Sequence, residues 1–185
     1  EEGRYKEAGN IKNAVPYLHQ DPDSDEILGQ CEESGRDQGH ATLCVSLMGT
    51  FCQMAYNIGE ELFAYDNYRA VAMAEYVGKY NLIKDESFNK GTLVGDDFIY
   101  DSNSFPYTSY SNPSYTNATI STEQRGTKRP SWELFYGYCK EKGISSLYSE
   151  KWADQMRPDG GGGNYGPNSG GFDQLGFGTL MHYRE

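Results

Sequence analysis

Eight consecutive residues, Glu33-Ser34-Gly35-Arg36-Asp37-Gln38-Gly39-His40, gather acids, a guanidinium, an amide and an imidazole in one run. Gly35 and Gly39 let the backbone turn there and approach a ligand closely. His40, one of 3 histidines in the chain, stands at the mouth of a long helical pattern. Gln38 and His40 can both lean from this turn toward one pocket. Farther on, Arg129 and Tyr136 have a spacing that predicts one face of a helix, two turns apart. Amide, imidazole, guanidinium and phenol form a coherent set for an elimination across a glycosidic bond next to a carboxylate. That reaction requires the carboxylate to be neutralised, a weakly acidic carbon-bound proton to be removed and the leaving oxygen to be protonated. Arg and Gln supply the first as charge-assisted donors. His and Tyr supply the others as general base and acid.

Helices must carry these groups. From residue 37 to residue 57, Leu43, Leu47, Met48, Phe51, Met54 and Ala55 recur at helical spacing, with Asp37 as cap and Gly59 as stop. A second helix is predicted over 60–80, with Leu62, Phe63, Ala70, Met73, Ala74 and Val77 as its inner stripe. The two make a helical hairpin with a very short joint. A third is predicted over 129–143, opened by Pro130 in its first turn, where a missing N–H costs little. A short helix follows over 147–156. Residues 81–128 differ, being rich in Asn, Ser, Thr, Tyr and Gly. A connection of that length is a functional loop or a disordered one, and its aromatic density favours an ordered lid or cleft wall. After Pro158 comes a glycine-rich tail that has no phosphate-loop pattern and follows no strand, so it predicts no nucleotide site.

Composition narrows the partners. The chain has 185 residues, 22 Gly and 16 Tyr, and a net charge of -11. Its length allows one domain, 1–185, with a real core. Tyrosine offers an apolar face and a polar tip, which suits sugars or planar ligands as well as half-buried loops. With no broad basic footprint, nucleic acid is not an expected partner. An anionic substrate stays open, because a cleft can be locally positive. No stretch approaches the length of a membrane span. The chain begins with Glu and without a leader, which reads as a processed or partial sequence.

Several smaller signals carry two readings each. Asp21-Pro22-Asp23-Ser24-Asp25, with Glu32 at the twelfth position, imitates a calcium loop. Glu26 stands where that loop needs glycine, so a solvated acidic turn is the stronger reading and no metal site is assigned. Cys44 and Cys52 lie within the helical pattern as buried thiols, while a Cys31–Cys139 disulfide stays open. Asn117-Ala118-Thr119 fits a glycosylation acceptor. Arg69 and Tyr76 repeat the spacing of Arg129 and Tyr136 as a rival pair.

The run Glu33 to His40 resembles the alginate lyase-like polysaccharide lyases of bacteria. So do Tyr76-Val77-Gly78-Lys79-Tyr80-Asn81, the segment Arg125-Gly126-Thr127-Lys128-Arg129-Pro130-Ser131-Trp132-Glu133-Leu134-Phe135-Tyr136, and Phe172-Asp173-Gln174-Leu175-Gly176-Phe177-Gly178-Thr179-Leu180. The resemblance covers about residues 30–180. It implies an all-α fold, an (α/α) toroid around a polyuronate cleft, of which this chain is the C-terminal part with long Tyr- and Gly-rich loops. It also implies metal-independent, cofactor-free β-elimination on an anionic polysaccharide such as alginate or glucuronan, in the periplasm or outside the cell. Tyr136 would be the proton-transferring phenol and His40 its assisting base or neutraliser. Gln38 and Arg129 would hold the uronate carboxylate. Arg36 is a further substrate contact or a support for the run, and Trp132 is a sugar platform or a packing residue. The toroid is about twice this length, so missing N-terminal helices or a second chain would complete the cleft. A non-catalytic carbohydrate-binding protein of the same fold is the alternative. An α/α glycoside hydrolase would need two opposed carboxylates, from Glu33, Asp37 and Glu133.

Overall fold

The structure is a computed structural model that describes residues 11–112 and 115–157. Its longer helices are α1 (Gln38–Tyr56), α2 (Tyr65–Asn81), α3 (Trp132–Lys142) and α4 (Leu147–Met156). Two short antiparallel hairpins accompany them. β1 (Tyr17–Gln20) pairs with β2 (Ile27–Gln30), and β3 (Tyr110–Asn112) with β4 (Tyr115–Asn117). The chain is mostly helical, as its periodicity predicts. Each strand has only three or four residues, too few for a period of two to stand out from the sequence.

Helix α2 is the axis of the molecule, and every residue from Ala70 to Asn81 is buried. Close neighbours explain this. At Gly29 in β2, a Cβ would lie 2.8 Å from the Met73 backbone nitrogen, so only glycine lets the strand rest on the helix. On the opposite side Trp132 donates its indole N–H to the Ala74 carbonyl at 2.9 Å and packs on Trp152. The predicted inner stripe Ala70, Met73, Ala74 and Val77 is buried accordingly.

The start of α2 departs from expectation. Leu62–Ala64 form a 3-10 turn, and Asp66, Asn67 and Tyr68 take left-handed backbone angles with φ of 49°, 57° and 60°. Right-handed helix therefore begins only at Arg69. Three non-glycine residues in that region cost about 1 kcal/mol or more each. Arg69 ties the turn down by donating to Asp66 and, at 2.7 Å, to the Val15 carbonyl.

Helix α1 matches its predicted span but not the packing its pattern implies. Its buried face is Ala41, Thr42, Val45, Ser46, Gly49 and Cys52, while Leu47, Phe51 and Met54 are exposed. The reason is closeness: a Cβ on Gly49 would meet the Phe135 ring at 2.8 Å. Small residues admit the bulky side chains of α3, and the larger apolar ones turn outward. Helix α3 starts at Trp132, so Pro130 precedes it, and Gly143 ends it with φ of 66°.

The acidic turn joins β1 to β2, and a side chain serves as its cation. Lys79 of α2, itself buried, donates to Asp21 and, at 2.7 Å, to Asp23. Ser24 and Tyr148 also donate to Asp21, at 2.6 and 2.5 Å. Burial alone would raise the Asp21 carboxyl, but these four partners, counting the Asp23 N–H, hold it below its ordinary value. The acidic turn is thus solvated only in part, with Asp23 exposed and Asp21 buried on the Lys79 ammonium.

The cysteines are four free thiols. The Cys31 S–H donates a hydrogen bond to Cys44, and that bond together with burial pushes the Cys31 thiol up. Cys139 is buried on α3 and raised by burial to about 12. The Asn117 amide is buried against Gly35, so the folded chain shields the acceptor nitrogen of the glycosylation tripeptide while Ala118 and Thr119 stay exposed. No helix among the described residues is long and apolar enough to cross a membrane. The glycine-rich tail and the segment Phe172 to Leu180 lie outside the described residues.

Helix α4 has an unusual cap. Its own Ser146 makes no capping bond, and Glu75 of α2 accepts from the Tyr148 and Ser149 N–H groups at 2.7 and 2.8 Å. Burial raises this carboxyl from 4.5 to about 7. Between those values the native state keeps a proton that the unfolded chain has released, so stability falls as pH rises through the window. The full effect is about 3 kcal/mol. Melting temperature should decline from pH 4.5 to pH 7.5, and Glu75→Gln should flatten that decline; an unchanged slope would refute the assignment.

Candidate functional site

Asp37 builds the start of the site. Its backbone is extended, and its Oδ1 accepts from the His40 backbone N–H at 2.8 Å, capping α1. Its Oδ2 lies 2.6 Å from His40 Nδ1. A carboxylate only accepts, so Nδ1 carries a proton, and in the neutral ring Nε2 keeps its lone pair. His40 is half-buried, and among the described residues Nε2 has no partner. One aspartate thus starts the helix and sets the tautomer of the imidazole. Arg36, exposed, reaches the same Oδ2 at 3.8 Å and Glu33 at 3.3 Å.

Gln38 takes a different part from the one its position suggests. It is buried, and its amide N–H groups donate to the Ser34 and Ser121 carbonyls, both at 3.1 Å. Its Oε1 accepts from Asn81 Nδ2 at 2.9 Å. Asn81 Nδ2 also donates to the Val77 carbonyl, and Asn81 Oδ1 accepts from the Gly126 N–H at 2.8 Å. Both donors of Gln38 are spent on carbonyls, which leaves none for a substrate carboxylate. Gln38 and Asn81 instead lock the first turn of α1, the last turn of α2 and the loop around Gly126 into one unit.

Arg129 and Tyr136 are parted by the structure. Arg129 lies ahead of α3, so the seven-residue spacing does not place the two on one helical face. It is buried and donates to Thr42 Oγ1 at 3.2 Å and to the Gly39 carbonyl at 3.4 Å, within one turn of His40. Ser131 meets Ser46, and Phe135 meets Gly49, so α1 and α3 run in the same direction side by side. Tyr136 is therefore level with the middle of α1, nine residues or about 13 Å along the axis from His40. Its hydroxyl donates to Glu150 at 3.1 Å, and Arg157 lies over its ring. Burial and the Glu150 carboxylate both raise its phenol.

Other candidates resolve similarly. Trp132 has 0% exposure and is a packing residue, with no face for a sugar. Tyr76 is buried, stacked with His19 and bonded to the Pro106 carbonyl at 2.9 Å, while Arg69 holds the turn at the start of α2. The rival pair is thus apart as well. Among the carboxylates, Glu33 is paired with Arg36, Asp37 with His40, and Glu133 with Arg157 through two bonds of 2.8 and 2.6 Å.

Beside the start of α1 lies a cleft of about 850 Å³, walled by residues 90–95, Thr122 and residues 124–128, with Phe98 and Ser102. Gln124 joins it to the His40 turn, because its side chain packs on the Gly39 Cα. The Gln38 N–H also donates to the Glu123 carbonyl at 2.8 Å. Arg125 and Asn81, which matter most here, both lie in motifs already visible in the sequence. Nothing in their spacing distinguishes them from neighbours, and Arg129 has the more regular interval to a tyrosine.

Removing Asn81 should loosen this unit. Asn81→Ala leaves Gln38 Oε1 and the Gly126 N–H buried without partners, at a cost of about 3 kcal/mol. Denaturant unfolding should show that loss in its midpoint. A change below 1 kcal/mol would mean the network is not holding the three segments together.

Comparison of the chain with protein-family models, with curated proteins and with solved structures finds no match.

Proposed function

We propose that this chain is a polysaccharide lyase, or a large part of one, cleaving uronic-acid polymers of alginate or glucuronan type by β-elimination. The single observation that carries the proposal is the Asp37–His40 dyad, with Nδ1 held and Nε2 unpartnered among the described residues, one residue from Gly39, on which Gln124 of the cleft wall packs. In this reading Nε2 takes the proton from the carbon next to the uronate carboxylate. The electron pair becomes the new double bond as the glycosidic C–O bond breaks. The imidazolium then returns its proton to the departing oxygen. Arg36, exposed next to the dyad, is the cation at hand to neutralise the carboxylate. The helices would belong to the C-terminal part of an (α/α) toroid acting in the periplasm or outside the cell, with its remaining wall supplied by N-terminal helices or a second chain.

The position of Tyr136 favours a second reading. With that phenol on Glu150 rather than beside His40, a carbohydrate-binding protein without turnover accounts for the same cleft. A hydrolase has less support, since Glu33, Asp37 and Glu133 are each paired with a basic side chain.

Elimination creates an unsaturated uronate that absorbs in the ultraviolet, whereas binding and hydrolysis do not. A panel of alginate, glucuronan and glycosaminoglycans should therefore give rising absorbance with the intact protein. His40→Ala should lower kcat by about 10²- to 10⁴-fold. Asp37→Asn should lower kcat with little loss of stability, because Asn caps a helix as well as Asp but cannot hold Nδ1–H in the same way. Tyr136→Phe should keep most activity. Absence of absorbance on every polymer refutes the lyase reading, and a dead Tyr136→Phe variant returns the phenol to the mechanism.

A further inference from the structure

We propose that the cleft floored by Arg125 is a subsite for the carboxylate of an acidic sugar, next to the residue at His40. The proposal deepens the lyase reading and rests on it for the identity of the sugar. The cleft is carried by its own geometry. Arg125 lines it with only 8% exposure, its guanidinium clamped between the Tyr80 and Phe98 rings at 3.9 and 4.1 Å. Nε donates to the Tyr80 carbonyl and Nη2 to the Tyr100 carbonyl, both at 2.7 Å. Those bonds use two of its five N–H groups, and the other three have no partner among the described residues. Among the described residues no carboxylate stands within ion-pair distance of it. Asp101, exposed, acts on it only from farther off.

A buried guanidinium held by two carbonyls and two ring faces is an unbalanced charge. Burial already lowers it to about 10. Elsewhere buried Lys79 is paired with Asp21, and partly buried Arg157 with Glu133. The cleft wall does the reverse. Its ionisable residues are Arg125, Lys90 and Lys128, with no acid among them, in a chain of net charge -11. The two lysines are partly engaged, Lys90 with Asp97 and Lys128 with the Phe88 carbonyl. Arg125 is left as the fork for a planar oxyanion.

Other groups in the wall suit a sugar. Thr92, Ser102, Thr122 and Gln124 can bond hydroxyls, and the volume lies within the range of about 300–1,000 Å³ usual for ligand pockets. Tyr80, beneath the guanidinium, is fully buried, with its hydroxyl next to Ser102 of the wall. Gln124 has a left-handed backbone with φ of 55° and spans the cleft and the Gly39 turn. Strain of this kind is retained where surrounding contacts over-determine it. It places the Arg125 subsite one residue along the loop from the wall of the His40 turn.

Binding can be measured without turnover. On the intact His40→Ala chain, calorimetric titration with a uronate trisaccharide, its carboxyl-reduced neutral counterpart and inorganic sulfate separates the sources of an oxyanion. The acidic trisaccharide should bind, weakening with added salt, while neutral sugar and sulfate should bind at least about tenfold more weakly. Arg125→Lys should weaken the acidic sugar about tenfold, because ammonium cannot supply the fork. Should that variant fold poorly, Ser102→Trp fills the cleft from its wall and should abolish binding with an unchanged melting temperature. Equal binding of neutral sugar, equal binding of sulfate, or full affinity in Ser102→Trp would each overturn the subsite. Binding that depends on Arg125 in a wild-type chain giving no ultraviolet product would keep the subsite and sink the lyase reading.

Discussion

The buried amide pair of Gln38 and Asn81 is the constraint on which the rest of this molecule depends. Three segments far apart in sequence meet there: the first turn of α1, the last turn of α2 and the loop at Gly126. A buried amide must satisfy its donors and acceptors, and here they engage the Ser34, Ser121 and Val77 carbonyls, the Gly126 N–H and each other. A network of that kind tolerates one arrangement, because any shift strands a polar group in a low-dielectric interior. His40 and Arg125 are each within two residues of a member. Their mutual placement is inherited from the amides rather than made by contacts of their own.

Charge in this chain divides into structure and site. Most of its buried acids are spent in holding segments together, Asp21 through Lys79, Glu75 at the start of α4, and Glu133 through Arg157. An excess of acid in the composition therefore says little about the surface a ligand meets. The cleft beside α1 carries basic side chains, and its deepest one is stacked on aromatic rings rather than paired. Net charge describes long-range fields, whereas recognition depends on the few groups a ligand reaches.

How much was legible follows the range of each interaction. The spans of α1 and α4, the Asp37 cap and the inner stripe of α2 were readable, since each is decided within one or two helical turns. The buried face of α1 was not. Leu47, Phe51 and Met54 form a good apolar stripe, yet small residues were buried instead, because Phe135 approaches Gly49 too closely for anything larger. The left-handed turn at Asp66 to Tyr68 was equally hidden, being imposed by Arg69 reaching the Val15 carbonyl. The strands were too short to announce themselves.

By itself the sequence determined that this chain is mostly helical and that chemistry gathers around residues 33–40 and 125–136. It also placed His40 three residues after its capping carboxylate, which is enough to fix the tautomer locally. Tertiary structure decided which polar side chains remain available. Gln38, Arg129, Trp132 and Tyr136 are as suitable in type as His40 and Arg125. The first three are drawn into the interior, and Tyr136 is drawn to Glu150, by partners 14 to 90 residues away. Residue type sets what a group can do, but only packing settles whether its donors and lone pairs are already spent.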